Sequence, residues 1–480
     1  MVKFQFDEVR RGWDELIRNY VEKSIGRAGG VLSCLFLLAA LGTAAPVTLP
    51  HTTVKAVTLE NGLRAFFVED RSVPVVNVQI WYHVGSKDET PGKTGFAHLF
   101  EHLMFDGTKN IGPEQFSDYI IRSGGIDNAY TTEDSTVFWE TIPSTTLPAA
   151  LWLEADRMRN LDITEKIFNN EREVVKEERR LRFDNQPYGT VVESLYKSAF
   201  TVHPYRHMTI GSMEDLDRAR VADIQAFYDT YYVPNNATVV IVGDFDSQLA
   251  ESLIRQYFGS IAPGEHLGQR SVPREPPQTA KRVLKLFQDV ALPAFVEGYH
   301  MPADGTPDAY PLRLAAKILS EGDSSRIYHR LVYAKQIALQ AQSSGNFTED
   351  PNLFFVLAIM NAGHSPAEGE KEVEAELESL KNQLVSEDEL DKAKNQILRD
   401  FILSRQTTQS RGEELGYAAV ILKDPNLINT EPARFLAVTR EDIRRVAREY
   451  FVPENLTLVE VYPLERNNGQ AAKATSSGGQ

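Results

Sequence analysis

The sequence predicts an α+β protein, two tandem homologous domains of mixed and antiparallel sheet packed with helices, and three observations predict it. First, residues 223–239, DIQAFYDTYYVPNNATV, return at 442–458 as DIRRVAREYFVPENLTL. Asp223/Asp442, Ile224/Ile443, Tyr231/Tyr450, Val233/Val452, Pro234/Pro453 and Asn236/Asn455 match at one offset of 219 residues. A period this long marks duplicated domains, not a solenoid. Second, several strand-like segments follow each other directly among the helices, which calls for antiparallel pairing. Third, the 480 residues are 42% hydrophobic and 25% charged. That is ordinary globular composition with ample core, and it excludes disorder, collagen and coiled coil as whole-chain descriptions. The net charge of −16 argues against a nucleic-acid binder, which needs a basic face.

Residues 1–30 form an N-terminal extension. Val31–Val47 is the most apolar stretch, preceded by Lys23 and Arg27. It is short for a membrane span, which takes about 20 apolar residues, and suits a signal-peptide core with Thr43, Ala44 and Ala45 at the cleavage segment, 31–47. Cleavage is the expectation, with an uncleaved anchor as the alternative, and either implies an exported, periplasmic protein. The single cysteine, Cys34, lies inside that run, so there is no disulfide framework and any metal is left to His and carboxylate. In the first domain, 48–262, strands are expected at Ala56–Glu69, Val75–Val84, Ala129–Thr141 and Thr238–Val242. Helices are expected at Gly95–Phe105, Pro113–Ser123, Leu147–Asn160 and Thr164–Phe183. Residues 263–281, with Pro263, Pro273, Pro276 and Pro277, read as a linker. The second domain follows at 282–465, and 466–480 has the composition of a disordered tail.

The chemistry starts at His98 in HLFEH. On a helix, His98 and His102 at i and i+4 leave the same face, a spacing that suits two imidazole ligands of one zinc ion. Glu101 sits on the same side and could take the proton of a zinc-activated water. A catalytic site needs a third protein ligand. The run EREVVKEERR ahead of it supplies Glu171 and Glu178, two helical turns apart on one face, with Glu177 on another. Spacing alone does not choose between Glu171 and Glu178. The bland alternative is two histidines on a polar face and a solvated charged helix.

These segments together resemble the pitrilysin/insulinase family of inverzincin metallopeptidases. The likeness is to its short-chain branch, which includes the β-subunit of mitochondrial processing peptidase and bacterial relatives. The resemblance runs through GFAHLFEHLMFDGT (Gly95–Thr108), GGIDNAYTTEDSTVFW (Gly124–Trp139), NEREVVKEERRLR (Asn170–Arg182), HPY (His203–Tyr205) and YYVPNNATVVIVGDF (Tyr231–Phe245). It implies the metallopeptidase α/β roll and half of a clamshell chamber. It implies one zinc ion per chain held by His98, His102 and Glu178, with Glu101 as general base and Glu171 as an accessory acid. It assigns substrate binding to Asn128 and Ala129, through β-augmentation, and to His203. A second metal at His203 and His207 is disfavoured, because Pro204 between them opposes a regular helix.

The second half lacks the triad: at the repeat offset His98, Glu101 and His102 fall on Lys317, Ser320 and Glu321. The family's substrate-holding Arg and Tyr of that half align with Val332 and Leu339, and Arg330 and Tyr333 stand nearby out of register. The expected function is therefore a zinc endopeptidase acting on peptides or unfolded segments. It would be the catalytic subunit of a heterodimer whose zinc-free partner supplies Arg and Tyr. A homodimer or monomer using Arg330 or Tyr333 is the competing version, and a non-catalytic assembly subunit is the alternative from another class. Membrane contact is expected only through an uncleaved N-terminal segment.

Overall fold

A computed structural model of the chain describes residues 51–265, 267 and 272–464. The N-terminal extension, the apolar segment with Cys34 and the tail lie outside the described residues. A six-stranded sheet is built from β1 (Lys55–Thr58), β2 (Arg64–Glu69), β3 (Val75–Tyr82), β4 (Ile126–Thr131), β5 (Thr136–Pro143) and β6 (Ala237–Gly243), in the order β1-β2-β6-β3-β5-β4. A five-stranded sheet is built from β7 (Arg282–Gln288), β8 (Ala294–Met301), β9 (Ala338–Gly345), β10 (Asn352–Met360) and β11 (Leu456–Pro463), in the order β7-β11-β8-β10-β9. The two orders superimpose once β1 is set aside. In both, the pair β2–β6 or β7–β11 is parallel and every other pairing is antiparallel. The predicted mixed α+β duplication is the observed architecture.

Two expected strands are in fact hairpins. Ala56–Glu69 breaks into β1 and β2 because Asn61 turns inward. Its amide donates to the carbonyls of Phe258 (2.8 Å) and Ile261 (2.9 Å), and its Oδ1 accepts from the Leu63 N–H. Ala129–Thr141 breaks into β4 and β5 because the Thr132 hydroxyl accepts from the N–H groups of Asp134 and Ser135 and closes the turn, a local side-chain device that mimics a backbone turn. The expected helix Thr164–Phe183 is α-helical over Glu165–Arg179, capped by Thr164, and widens into a π-helical turn at Arg180–Asp184.

β6 (ATVVIVG) is buried along its whole length, which requires cover on both faces. One face packs on Leu99, Phe100, Leu103 and Leu151 of the first half's own helices. The other is covered by Leu415, Ala419 and Val420 of the helix Thr408–Val420, which belongs to the second half of the chain. At Gly416 of that helix a Cβ would fall 2.2 Å from the Trp81 indole, so only glycine permits the approach. The exchange is reciprocal. The helix Val191–Ala199, from the first half, lays Val191, Leu195 and Tyr196 on Val296, Val459 and Val461 of the second sheet.

A buried ion cluster ties the same halves together. Lys87, with 3% of its side chain exposed, contacts Asp134 (2.8 Å), Glu349 (2.6 Å) and Asp350 (3.2 Å). His83 reaches Glu349 at 2.7 Å, and the Tyr205 hydroxyl donates to Asp134 at 2.6 Å. Burial opposes ionisation of Glu349, yet His83 and Lys87 hold its carboxyl well below the usual glutamate range.

Candidate active site

The helix Phe96–Leu103 is amphipathic in the most literal sense. Phe96, Ala97, Leu99, Phe100 and Leu103 are buried at 2% exposure or less, while His98, Glu101 and His102 occupy the opposite face. Its first turn is fixed by a residue that sequence reasoning missed. Glu89 is buried and accepts from the N–H groups of Gly95 and Ala97, both at 2.8 Å, satisfying donors that every helix start leaves open. Gly95 begins the helix at φ +90°, where a Cβ would meet the Ile210 carbonyl at 2.7 Å.

The helix Glu165–Arg179 crosses in front. Val175 and Phe168 anchor it in the core. Arg179 ties its end to the Gly211 carbonyl and, at 2.8 Å, to Glu193. Its Glu178 Oε2 lies 3.6 Å from His98 Nε2 and 3.3 Å from His102 Nε2. Among the described residues, His98, His102 and Glu178 form the one group whose ligand atoms converge within 4.8 Å of one another. Bonds of about 2.0–2.1 Å to a tetrahedral zinc put ligand atoms roughly 3.3 Å apart, and the carboxylate stands near that distance from both imidazoles. The two glutamates that spacing left equivalent stand in different places. Glu178 faces both Nε2 atoms, whereas Glu171 Oε2 sits 3.5 Å from His102 Nδ1, behind the ring. Arg182, in the π-helical turn, takes the other oxygen, Oε1, of Glu178 at 2.9 Å.

Burial, and next to it His102 and Arg182, push the His98 imidazole down to about 3, which keeps it neutral; its Nδ1 is buried without a hydrogen-bond partner. For His102 burial pulls the same way, but the Glu171 hydrogen bond and the Glu101 and Glu178 charges outweigh it and raise the value. Glu101 stands outside the converging group. Burial raises its carboxyl above the usual range, and the Thr131 hydroxyl donates to its Oε2 at 2.5 Å. Thr131 ends β4, which pairs with β5 on one side and forms the open edge of the first sheet. Asn128 and Ala129 lie on that edge strand and, with the residues above, border a cavity of about 800 Å3.

His203 is not among them. It is 4% exposed, its Nδ1 accepts from the Tyr205 N–H, and its Nε2 is 3.6 Å from Asp350 in the ion cluster between the halves. The His203 ring packs here against Phe200 and Tyr205, so the imidazole is walled off from the cavity. In the second half Arg330 is engaged by Glu372 (2.5 Å) and Glu376 (2.8 Å), whereas Tyr333 is 70% exposed.

A family model described as insulinase (peptidase family M16) matches residues 64–212, and one described as peptidase M16 inactive domain matches 218–397. The zinc protease PqqE of Helicobacter pylori is 34% identical over 448 residues, covering 92% of this chain and 99% of that protein. The chain belongs to the insulinase family of peptidases. A probable mitochondrial-processing peptidase subunit beta of Arabidopsis thaliana is 24% identical over 430 residues, covering 87% of this chain and 80% of that one. A crystal structure of a protease from Helicobacter pylori superimposes with a TM-score of 0.82 at 34% identity, covering 86% of this chain and all of that one. No helix among the described residues is long and apolar enough to cross a membrane.

Proposed function

We propose that this M16 chain is a zinc-dependent endopeptidase that hydrolyses peptides or unfolded segments, with His98, His102 and Glu178 holding one zinc ion per chain. The observation that carries the reading is the convergence of those three ligand atoms with Glu101 beside them and outside the ligand set. Zinc held there supplies Lewis acidity to a scissile carbonyl and to water. Glu171 fixes the His102 ring from behind, so that Nε2 is the nitrogen presented. Arg182 occupies Glu178 Oε1 and leaves Oε2 to face the imidazoles. Glu101, poised by burial and by Thr131, accepts the proton of the attacking water and returns it to the leaving amine. The open edge at Asn128 and Ala129 receives the peptide backbone as an added strand.

The second half offers Val332 and Leu339 where a substrate-holding Arg and Tyr would stand, and Arg330 is already paired. A homologous zinc-free subunit that brings both groups completes the chamber in this reading, and the apolar segment 31–47 directs the protein to the periplasm.

The test is the purified chain, assayed for zinc content and for chelator-sensitive cleavage of a quenched-fluorescence peptide, alone and with the partner recovered from its host. Glu101→Gln is expected to keep its zinc and lose about 10²–10⁴-fold in turnover. Zinc-loaded protein on which Glu101→Gln has no effect overturns the enzymatic reading in favour of an assembly subunit.

A further inference from the structure

Next to the candidate site lies a second cavity, of about 480 Å3, with no part in the reading so far. It exists because the helix Val191–Ala199 packs over β7, β11 and β8 but leaves the adjoining stretch of the second sheet uncovered. Val192 and Leu195 of the helix, Val296 of β8, and Phe355 and Leu357 of β10 form its walls. Val192 is 39% exposed there, an apolar side chain with nothing on it.

The cavity adjoins the candidate active site. Thr209 lines both. β4 borders the first through Asn128–Thr131, and Glu133, two residues beyond its end, borders the second. At about 3.3 Å per residue, a peptide added to β4 reaches the cavity about two to four residues from Ala129. Antiparallel addition is the more stable pairing, and it runs the peptide against β4, so the residues arriving at the cavity precede the cleaved bond.

We propose that this cavity is a specificity subsite taking an apolar side chain, aromatic or long aliphatic, on the N-terminal side of the cleaved bond. The inference rests on the peptidase reading for where the peptide lies and goes beyond it in naming which peptides fit. Three of the polar groups that line the cavity are paired with one another. The Asn346 amide donates to Glu133 Oε1 (3.1 Å) and to the Tyr196 hydroxyl (3.0 Å). Burial raises the Glu133 carboxyl toward its neutral form, which weakens it as a partner for a basic side chain. An apolar group, by contrast, gains the walls outright.

The experiment is equilibrium binding, by fluorescence anisotropy, of short labelled peptides to the full-length Glu101→Gln chain. The peptides are varied one position at a time to Phe, Leu, Asp or Lys. One position is expected at which Phe and Leu bind about 10-fold or more tighter than Asp and Lys. Val192→Glu is expected to abolish that preference and to favour Lys. Gln342→Glu, on the exposed side of the same cavity, is expected to do so more weakly, and melting curves confirm that both variants fold. The proposal is overturned if no position prefers an apolar residue, if the wild-type cavity prefers Lys, or if both variants leave the preference intact. Wild-type turnover is read separately, with the partner subunit present: a zinc-loaded complex that cleaves none of these peptides defeats the peptidase reading, while the binding series still decides the subsite.

Discussion

The helices Phe96–Leu103 and Ala309–Ser320 are the same element in two copies of one scaffold, and they treat polarity in opposite ways. In the second copy every polar group at the repeat positions has a partner. Lys317 meets Asp400 at 2.7 Å, the Ser320 hydroxyl donates to the Ser343 carbonyl at 3.0 Å, and Glu321 meets Arg399 at 3.0 Å. At the same 219-residue offset, Glu171 and Glu178 are replaced by Leu390 and Ile397, which join the apolar core. In the first copy two imidazoles and a carboxylate point at one spot, and the His98 Nδ1 is left with no partner. Converging polar groups cost stability unless something charged joins them. The scaffold tolerates either solution, so the site is the place where one copy declines to satisfy itself.

The sharpest way to break this contrast is to write the second copy into the first. Glu171→Leu with Glu178→Ile is expected to bring bound zinc to background, read by elemental analysis, and to remove hydrolysis. Next in size is the cluster that both copies share. Lys87→Met takes from Asp134 and Glu349 the buried cation they share and should cost up to about 3–5 kcal/mol in urea unfolding. Glu171→Gln alone keeps the ligands and loosens one ring; zinc affinity should fall about 10–100-fold in a competition titration, with the melting curve of the metal-free chain unchanged.

A subtler effect is expected from Glu349. Its carboxyl is depressed below the ordinary value of 4.5, so its stabilisation is complete above that pH and is lost as pH falls below it. The groups facing it are His83, Lys87, Lys423 and the Asp134–Tyr205 pair. The melting-temperature gap between wild type and Glu349→Gln should therefore close as pH drops from 7 toward 3. The smallest effect belongs to Lys317→Ala. Its partner Asp400 is 40% exposed, so the loss should stay below about 1 kcal/mol, with zinc content unaltered.

The duplication, the helix of His98 and His102 and the two candidate glutamates were all legible, because each rests on local spacing: a repeat offset, an i, i+4 pair, a seven-residue interval. What was not legible depends on groups far apart in the chain. Nothing near Lys87 announces Glu349, 262 residues away, and nothing near His203 announces the turn at Asp350 that walls it in. Glu89 is closer to its partners, yet its role as the anchor of the helix Phe96–Leu103 appears only when its side chain is seen turned inward. The Ala129–Thr141 run was misjudged for a different reason. Strand-forming residues continue on both sides of Thr132, and the hydroxyl that breaks them has the same composition in a strand as in a turn.

The open edge of β4 has a consequence for what the molecule can hold. A backbone edge is nearly indifferent to side-chain identity and strict about shape, since it accepts only chain whose own N–H and C=O groups are free. Helices and finished sheets have none to give. A protein gripping its clients this way sorts them by looseness before it reads a single side chain, and a well-folded neighbour passes by untouched.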